Sequence, residues 1–207
     1  MTILLSDPRV AAVPVRDNGE PLVRLDPDLA PSGQLVRAGL AGRLAQADST
    51  LPAGIRLRVV EGHRTIADQR AIIAAYSAQV RHAHGELPED LLRDLTSRFV
   101  APLEVAPHVA GAAVDLTLVD ACGEALDLGT AIDATPEESD GRCYFAAMGI
   151  GADAHANRDL LAGVLEGAGL VNYPTEWWHW SYGDRYWALR AGAAAAIYGA
   201  VERTVAA

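Results

Sequence analysis

A chain of 207 residues that is 50% apolar and 21% charged has the composition of a folded domain, able to bury a core without disulfides or metal as props. Its formal net charge of -10 excludes a nucleic acid or an anionic membrane surface as partner, because no basic stripe exists to displace counterions from phosphates. No run approaches the roughly 18 uninterrupted apolar residues of a membrane span, and Met1 to Val10 lacks the basic start and long apolar core of a secretory signal, so the expected location is the cytoplasm.

Residues 1–31, rich in Pro and Asp, read as an arm of coil with one or two short strands at Val10–Val15 and Leu22–Leu25. Ser32 is placed to cap a helix whose apolar positions Val36, Leu40, Leu44 and Ala47 share one face, ending near Asp48-Ser49. Ile55 to Glu61 alternates apolar and charged residues, the period of a half-buried strand, and Gly62 breaks it. Thr65, with Asp68 three residues on, caps the next helix, which carries Ile66, Ile72, Ile73, Tyr76 and Val80 to about His82 before Gly85 stops it. Pro88 opens another short helix containing Leu91, Leu92 and Leu95.

Val114 to Val119 is a predicted strand, with Val114, Leu116 and Leu118 on one face and Asp115 and Thr117 on the other, so Asp115 faces away from the apolar layer. Asp120 to Gly123 reads as a turn into Glu124–Leu128, completing a hairpin. Residues 133–153, with Pro136 and several glycines, form an irregular loop of the kind that covers a site. A helix follows over Asn157–Gly167, and Val171 to Tyr182 has the bulky residues of a strand. Residues 184–207 end the chain with one long Ala-rich helix from Asp184 to Val205. Helices mixed with short, mostly antiparallel strands make the expected class α+β, a single domain over residues 1–207 with a small sheet packed by helices. Cys122 and Cys143 belong to no C-x-x-C pair and are expected as unpaired thiols.

The chemistry concentrates in two stretches. In the first, Gly111 lets the chain reverse between His108 and Asp115, so that both side chains can point into one space. In the second, Glu176 lies three residues before His179. Two imidazoles and one carboxylate are the ligand types of a catalytic zinc site, and a further carboxylate beside it is what water activation needs. His63, His82, His84 and His155 have no partner at ligand spacing and are read as structural or surface residues.

The string His108-x-x-Gly111-x-Ala113-x-Asp115-Leu116-Thr117-Leu118 continues with Asp127-Leu128-Gly129-Thr130, Asp133, Asn157-Arg158 and Glu176-Trp177-Trp178-His179-Trp180. From about residue 55 to 187 it resembles, in order, the zinc D-alanyl-D-alanine dipeptidases, which share a fold with the zinc D,D-carboxypeptidases and the hedgehog signalling domain. The resemblance implies that fold, and one zinc ion per chain held by His108, Asp115 and His179. It implies Glu176 as general base and later proton donor, and Arg64 as the group that holds the scissile carbonyl while it becomes an oxyanion. It also implies Asp133 at the free amino group of a small dipeptide, D-Ala-D-Ala foremost.

One departure stands inside the first motif: where many members carry Ser two residues before the first ligand, this chain has Ala106. A missing hydroxyl in a pocket changes which substrate it accepts. The competing readings are therefore a hydrolase of another small dipeptide or specialised metabolite, a D,D-carboxypeptidase, and a zinc-binding module without catalysis.

Overall fold

A computed structural model describes residues 2–202. The class is α+β, as expected. In chain order come α1 (Pro8–Ala12), β1 (Leu22–Arg24), β2 (Leu35–Arg37), α2 (Ala38–Ser49), β3 (Arg56–Glu61), α3 (Ile66–His84), α4 (Glu89–Thr96), β4 (Ala113–Val119), α5 (Ala152–Gly167), β5 (Val171–Asn172), β6 (His179–Ser181) and α6 (Arg185–Ala191). Strands β3, β4, β6 and β5 lie side by side in that order, every pair antiparallel, while β1 and β2 form a separate ribbon.

The central strand β4 organises the fold. Its seven residues are all buried, and the two faces bury different chemistry. Val114, Leu116 and Leu118 join Leu57 and Val59 of β3, Leu40 and Leu44 of α2, Leu161 and Leu165 of α5, and Trp177, Trp178 and Trp180 in one continuous core. The tryptophans' polar edges are satisfied within it, since Trp177 Nε1 donates to Thr130 Oγ1 at 2.8 Å and Trp180 Nε1 to the Trp177 carbonyl at 3.0 Å. Asp115, on the opposite face, pairs directly with His179 of β6 and with Glu61 of β3. A bulge between Val59 and Glu61 produces the second pairing. Strict alternation would put Glu61 on the same face as Leu57 and Val59; the extra residue, Val60, is 44% exposed and turns Glu61 to the Asp115 side.

Several local expectations are corrected. The strand expected at Val10–Val15 is absent, because Pro8–Ala12 is a helix: Asp7 accepts from Arg9 N at 2.9 Å and Pro8 occupies the first helical position. Ser32 caps nothing in α2, because Leu35–Arg37 is drawn into pairing with Leu22–Arg24 and the helix begins only at Ala38. The turn after β4 forms, with Asp120 Oδ1 accepting from Cys122 and Glu124, but the returning chain makes a single bridge, Val119 to Ala125, and no second strand. Of Val171 to Tyr182, only Val171–Asn172 and His179–Ser181 are strand, with a turn between them. The long terminal helix is also absent from the described residues after Ala191. Gly192 takes a left-handed conformation (φ 67), and the chain beyond it lies extended against the leading arm, Ala196 N meeting Pro14 O at 2.9 Å. The part of that predicted helix beyond Glu202 lies outside the described residues.

Cys122 is exposed and Cys143 buried, and neither is paired. Among the described residues no helix is long and apolar enough to cross a membrane.

Candidate metal centre

Three backbone devices bring the ligands together. A single 3₁₀ turn over His108–Ala110 ends at Gly111, whose φ of 63 sends the chain straight into β4 and so sets His108 over Asp115. A side chain at Gly111 would lie 2.4 Å from Leu22 Cδ2, so both conformation and space require glycine there. Gly62 is required for a different reason: a Cβ would sit 2.5 Å from the Leu35 carbonyl oxygen. That close approach leaves the Gly62 carbonyl free to accept from His108 Nδ1 at 2.8 Å, which turns Nε2 toward the centre. The third device is the turn from Tyr173 to His179. Glu176 N donates to the Tyr173 carbonyl at 2.9 Å, and the Asn172 side-chain amide donates to the carbonyls of Glu176 (2.9 Å) and His179 (3.0 Å).

The result is a compact trio. His108 Nε2 lies 3.1 Å from His179 Nδ1, His179 Nδ1 lies 3.0 Å from Asp115 Oδ1, and His108 Nε2 lies 3.4 Å from the same oxygen. Ligands about 2.0–2.1 Å from a tetrahedral zinc stand about 3.3 Å from one another. The observed edges match that spacing, and the donor set is of the N/N/O type that zinc takes, so the residues present fit the metal. All three are at most 5% exposed.

They open onto a cavity of about 290 Å³ whose wall includes Glu61, Arg64, Asp133 and Glu176. Glu176 Oε2 is 3.7 Å from His179 Nδ1, close enough to serve the same reacting atoms. Tyr173 stands edge-on to His179, ring centres 6.0 Å apart. Asp133 sits exposed at the rim in a left-handed conformation (φ 63), which Asp tolerates better than most residues. Ala106 is buried; the wall beside it is made by Pro107 and His108.

The cavity is acid-rich, with four carboxylates against one guanidinium. Burial, reinforced by Asp115 and Asp133, holds the Glu176 carboxyl well above the ordinary range. Partial enclosure of its carboxyl by the rim and the charges of Asp115 and Glu61 push Asp133 up to about 6. Burial would raise Asp115 too, but the adjoining His108 and His179 outweigh it and hold its carboxyl far below the ordinary value. This imbalance is what a bound divalent cation relieves.

The structure thus gathers all six residues singled out from the sequence, His108, Asp115, Glu176, His179, Arg64 and Asp133, around one cavity. Sequence reasoning passed over Glu61, Gln69 and Asn172. Asn172 carries no local signal; its role exists only once the turn has closed. Glu61 carried one, three residues before Arg64, but the alternating strand masked it.

The family profile of the D-Ala-D-Ala dipeptidases matches residues 93–194, a span that holds the trio, Glu176 and Asp133 but not Arg64. The D-alanyl-D-alanine dipeptidase of Synechocystis sp. is 29% identical over 217 residues, covering 86% of this chain and 87% of that protein. The D-alanyl-D-alanine dipeptidase of Escherichia coli is 39% identical over 72 residues, 35% of each chain. Among solved structures, VanYB in complex with D-Alanine-D-Alanine superposes with a TM-score of 0.51 at 18% identity, covering 84% of each chain, a likeness of fold.

Proposed function

We propose that this chain is a member of the D-Ala-D-Ala dipeptidase family and that it hydrolyses D-alanyl-D-alanine to two molecules of D-alanine, as one catalytic domain with one zinc ion. The observation that carries the reading is the convergence of His108, Asp115 and His179 at zinc-ligand spacing with Glu176 beside them in one cavity. Zinc, when bound, supplies Lewis acidity and lowers the pKa of a bound water from 15.7 toward about 7. Glu176, as the carboxylate, takes a proton from the water that adds to the amide carbonyl and passes it to the departing D-alanine amine. Arg64 donates to the carbonyl oxygen as it gains negative charge. Asp133 faces the substrate ammonium, and a requirement for that ammonium rejects N-acylated chains, which separates this activity from carboxypeptidase trimming. Two unpaired cysteines accord with action in the cytoplasm.

The test is release of D-alanine from D-Ala-D-Ala by protein whose zinc content is measured on the same sample, beside N-acylated D-Ala-D-Ala and L,L- and L,D-dipeptides. The proposal expects turnover of the free D,D-dipeptide above all others. Zinc-loaded protein that trims only the acylated peptide is a carboxypeptidase, and protein that cleaves nothing is a zinc-binding module.

A further inference from the structure

We infer that Glu61 and Gln69 form a clamp that fixes the direction of the Arg64 guanidinium, and that both are positioning residues for the hydrolysis proposed above, on which this inference rests. A guanidinium carries five N–H donors in one plane. Three of Arg64's are taken: Nε and Nη2 meet the two carboxylate oxygens of Glu61 at 2.7 and 2.5 Å, and Nη1 meets Gln69 Oε1 at 2.9 Å. Gln69 is itself immobile, 1% exposed, with its amide nitrogen donating to the Ala101 carbonyl at 2.8 Å. One donor on Nη1 and one on Nη2 remain, in the plane of the guanidinium. They belong to a side chain that lines the cavity with His108 and Glu176.

Donors held in a fixed plane suit an oxygen that gains negative charge only during reaction, because no reorientation is needed at that moment. The clamp has a second effect. Asp115 and Glu176 both attract the Arg64 charge, so an arginine free to swing would settle on one of them and occupy either a metal ligand or the base. Glu61 competes for the guanidinium with a two-point grip, and the bulge in β3 is what places it on the correct face to do so. Gln69 reaches the third nitrogen from the first turn of α3, where Thr65 has fixed the helix start.

The test is a double-mutant cycle. Gln69→Leu and Glu61→Gln are each made in the wild type and in an Arg64→Ala background, and kcat, KM for D-Ala-D-Ala, zinc per chain and melting temperature are measured. In the wild-type background kcat falls about 10- to 100-fold while KM moves less than about twofold, zinc stays bound and the fold persists. In the Arg64→Ala background neither substitution costs anything further, because no guanidinium is left to aim. Nitrogen–proton correlation NMR gives a readout independent of turnover: the Arg64 Nε–H exchanges slowly in the wild type and rapidly in Glu61→Gln. Equal losses with and without Arg64, or unchanged kcat in the single variants, overturn the clamp and leave the hydrolysis standing. A wild type that releases no D-alanine overturns the proposed hydrolysis, and with it the catalytic role of the clamp.

Discussion

Arg158→Met tests whether one buried guanidinium holds the loop that braces the turn carrying Glu176. Arg158 is 1% exposed and spends its donors on backbone carbonyls, Nε on Leu128 (2.8 Å), Nη1 on Tyr144 (2.6 Å) and Phe145 (3.0 Å), and Nη2 on Arg142 (2.8 Å). Burial lowers its pKa to about 10, so it stays charged at neutral pH. Hydrogen bonds from a charged donor contribute about 1.5–3 kcal/mol each. Their full sum is not the expected loss, because methionine removes the cost of burying a charge and water can reach the carbonyls on the partly exposed side of the loop. Breaking a buried charged network by removing one member costs about 3–5 kcal/mol. For a chain of this size that lowers the melting temperature by roughly 6–20 °C. The damage should spread to function, since the same loop grips the turn that carries Glu176: Trp177 N donates to the Cys143 carbonyl and Phe145 N to the Pro174 carbonyl, both at 3.0 Å. A fall in kcat/KM of at least about tenfold is expected from that misplacement. Thermal unfolding and D-alanine release measure the two effects. A variant that melts within about 2 °C of wild type would mean that the four carbonyls are satisfied without Arg158 and that the packing alone holds the loop.

Glu176→Gln keeps shape and removes proton transfer, so kcat should fall about 10²- to 10⁴-fold with zinc retained; turnover within a factor of two of wild type, with zinc measured, would take the base role away from Glu176. His108→Ala should abolish stoichiometric zinc while circular dichroism stays native, because the core lies on the other face of β4. For the wild type, free zinc at 100 times its Kd adds about 2.7 kcal/mol to stability, so a melting temperature indifferent to chelation would exclude a specific site. Asp133→Asn has a pH signature. Its carboxyl titrates at about 6 in the folded chain against the ordinary 3.8, so between those values the folded state holds more protons than the unfolded one and stability falls as pH rises. The metal-free variant should therefore melt higher than wild type at about pH 7 and equally at about pH 3.5, the gain kept small by exposure at the rim. It should also raise KM for a dipeptide with a free amine, and a shift in melting temperature that ignores pH would contradict the assignment.

The site was more legible in the sequence than the fold around it. Ligand chemistry imposes residue types and close spacings, so His108, Gly111 and Asp115 could be read as a reversal that joins two donors, and Glu176 with His179 as the answering pair. The α3 cap at Thr65 was equally local: Thr65 Oγ1 accepts from Asp68 N at 3.1 Å. What escaped depends on contacts distant in sequence. Leu35–Arg37 has helical periodicity with α2, but pairing with β1 and a buried Arg37, whose guanidinium meets Asp17 and the carbonyls of Glu20, Ala110 and Gly199, override it. The Ala-rich tail has helical propensity throughout, yet Gly192 and docking against Pro14 and Arg16 end the helix early. Glu61 reaches the cavity only because a bulge breaks the alternation that its own strand advertises.

Strand β4 works as a partition, with the largest apolar core against one side and the metal ligands gathered on the other. One strand thus serves two ends at once, its even-numbered residues holding the wall and Asp115 facing the chemistry. A change that shifts this strand would disturb the core and the ligand spacing together, so the site's geometry is tied to the stability of the wall behind it.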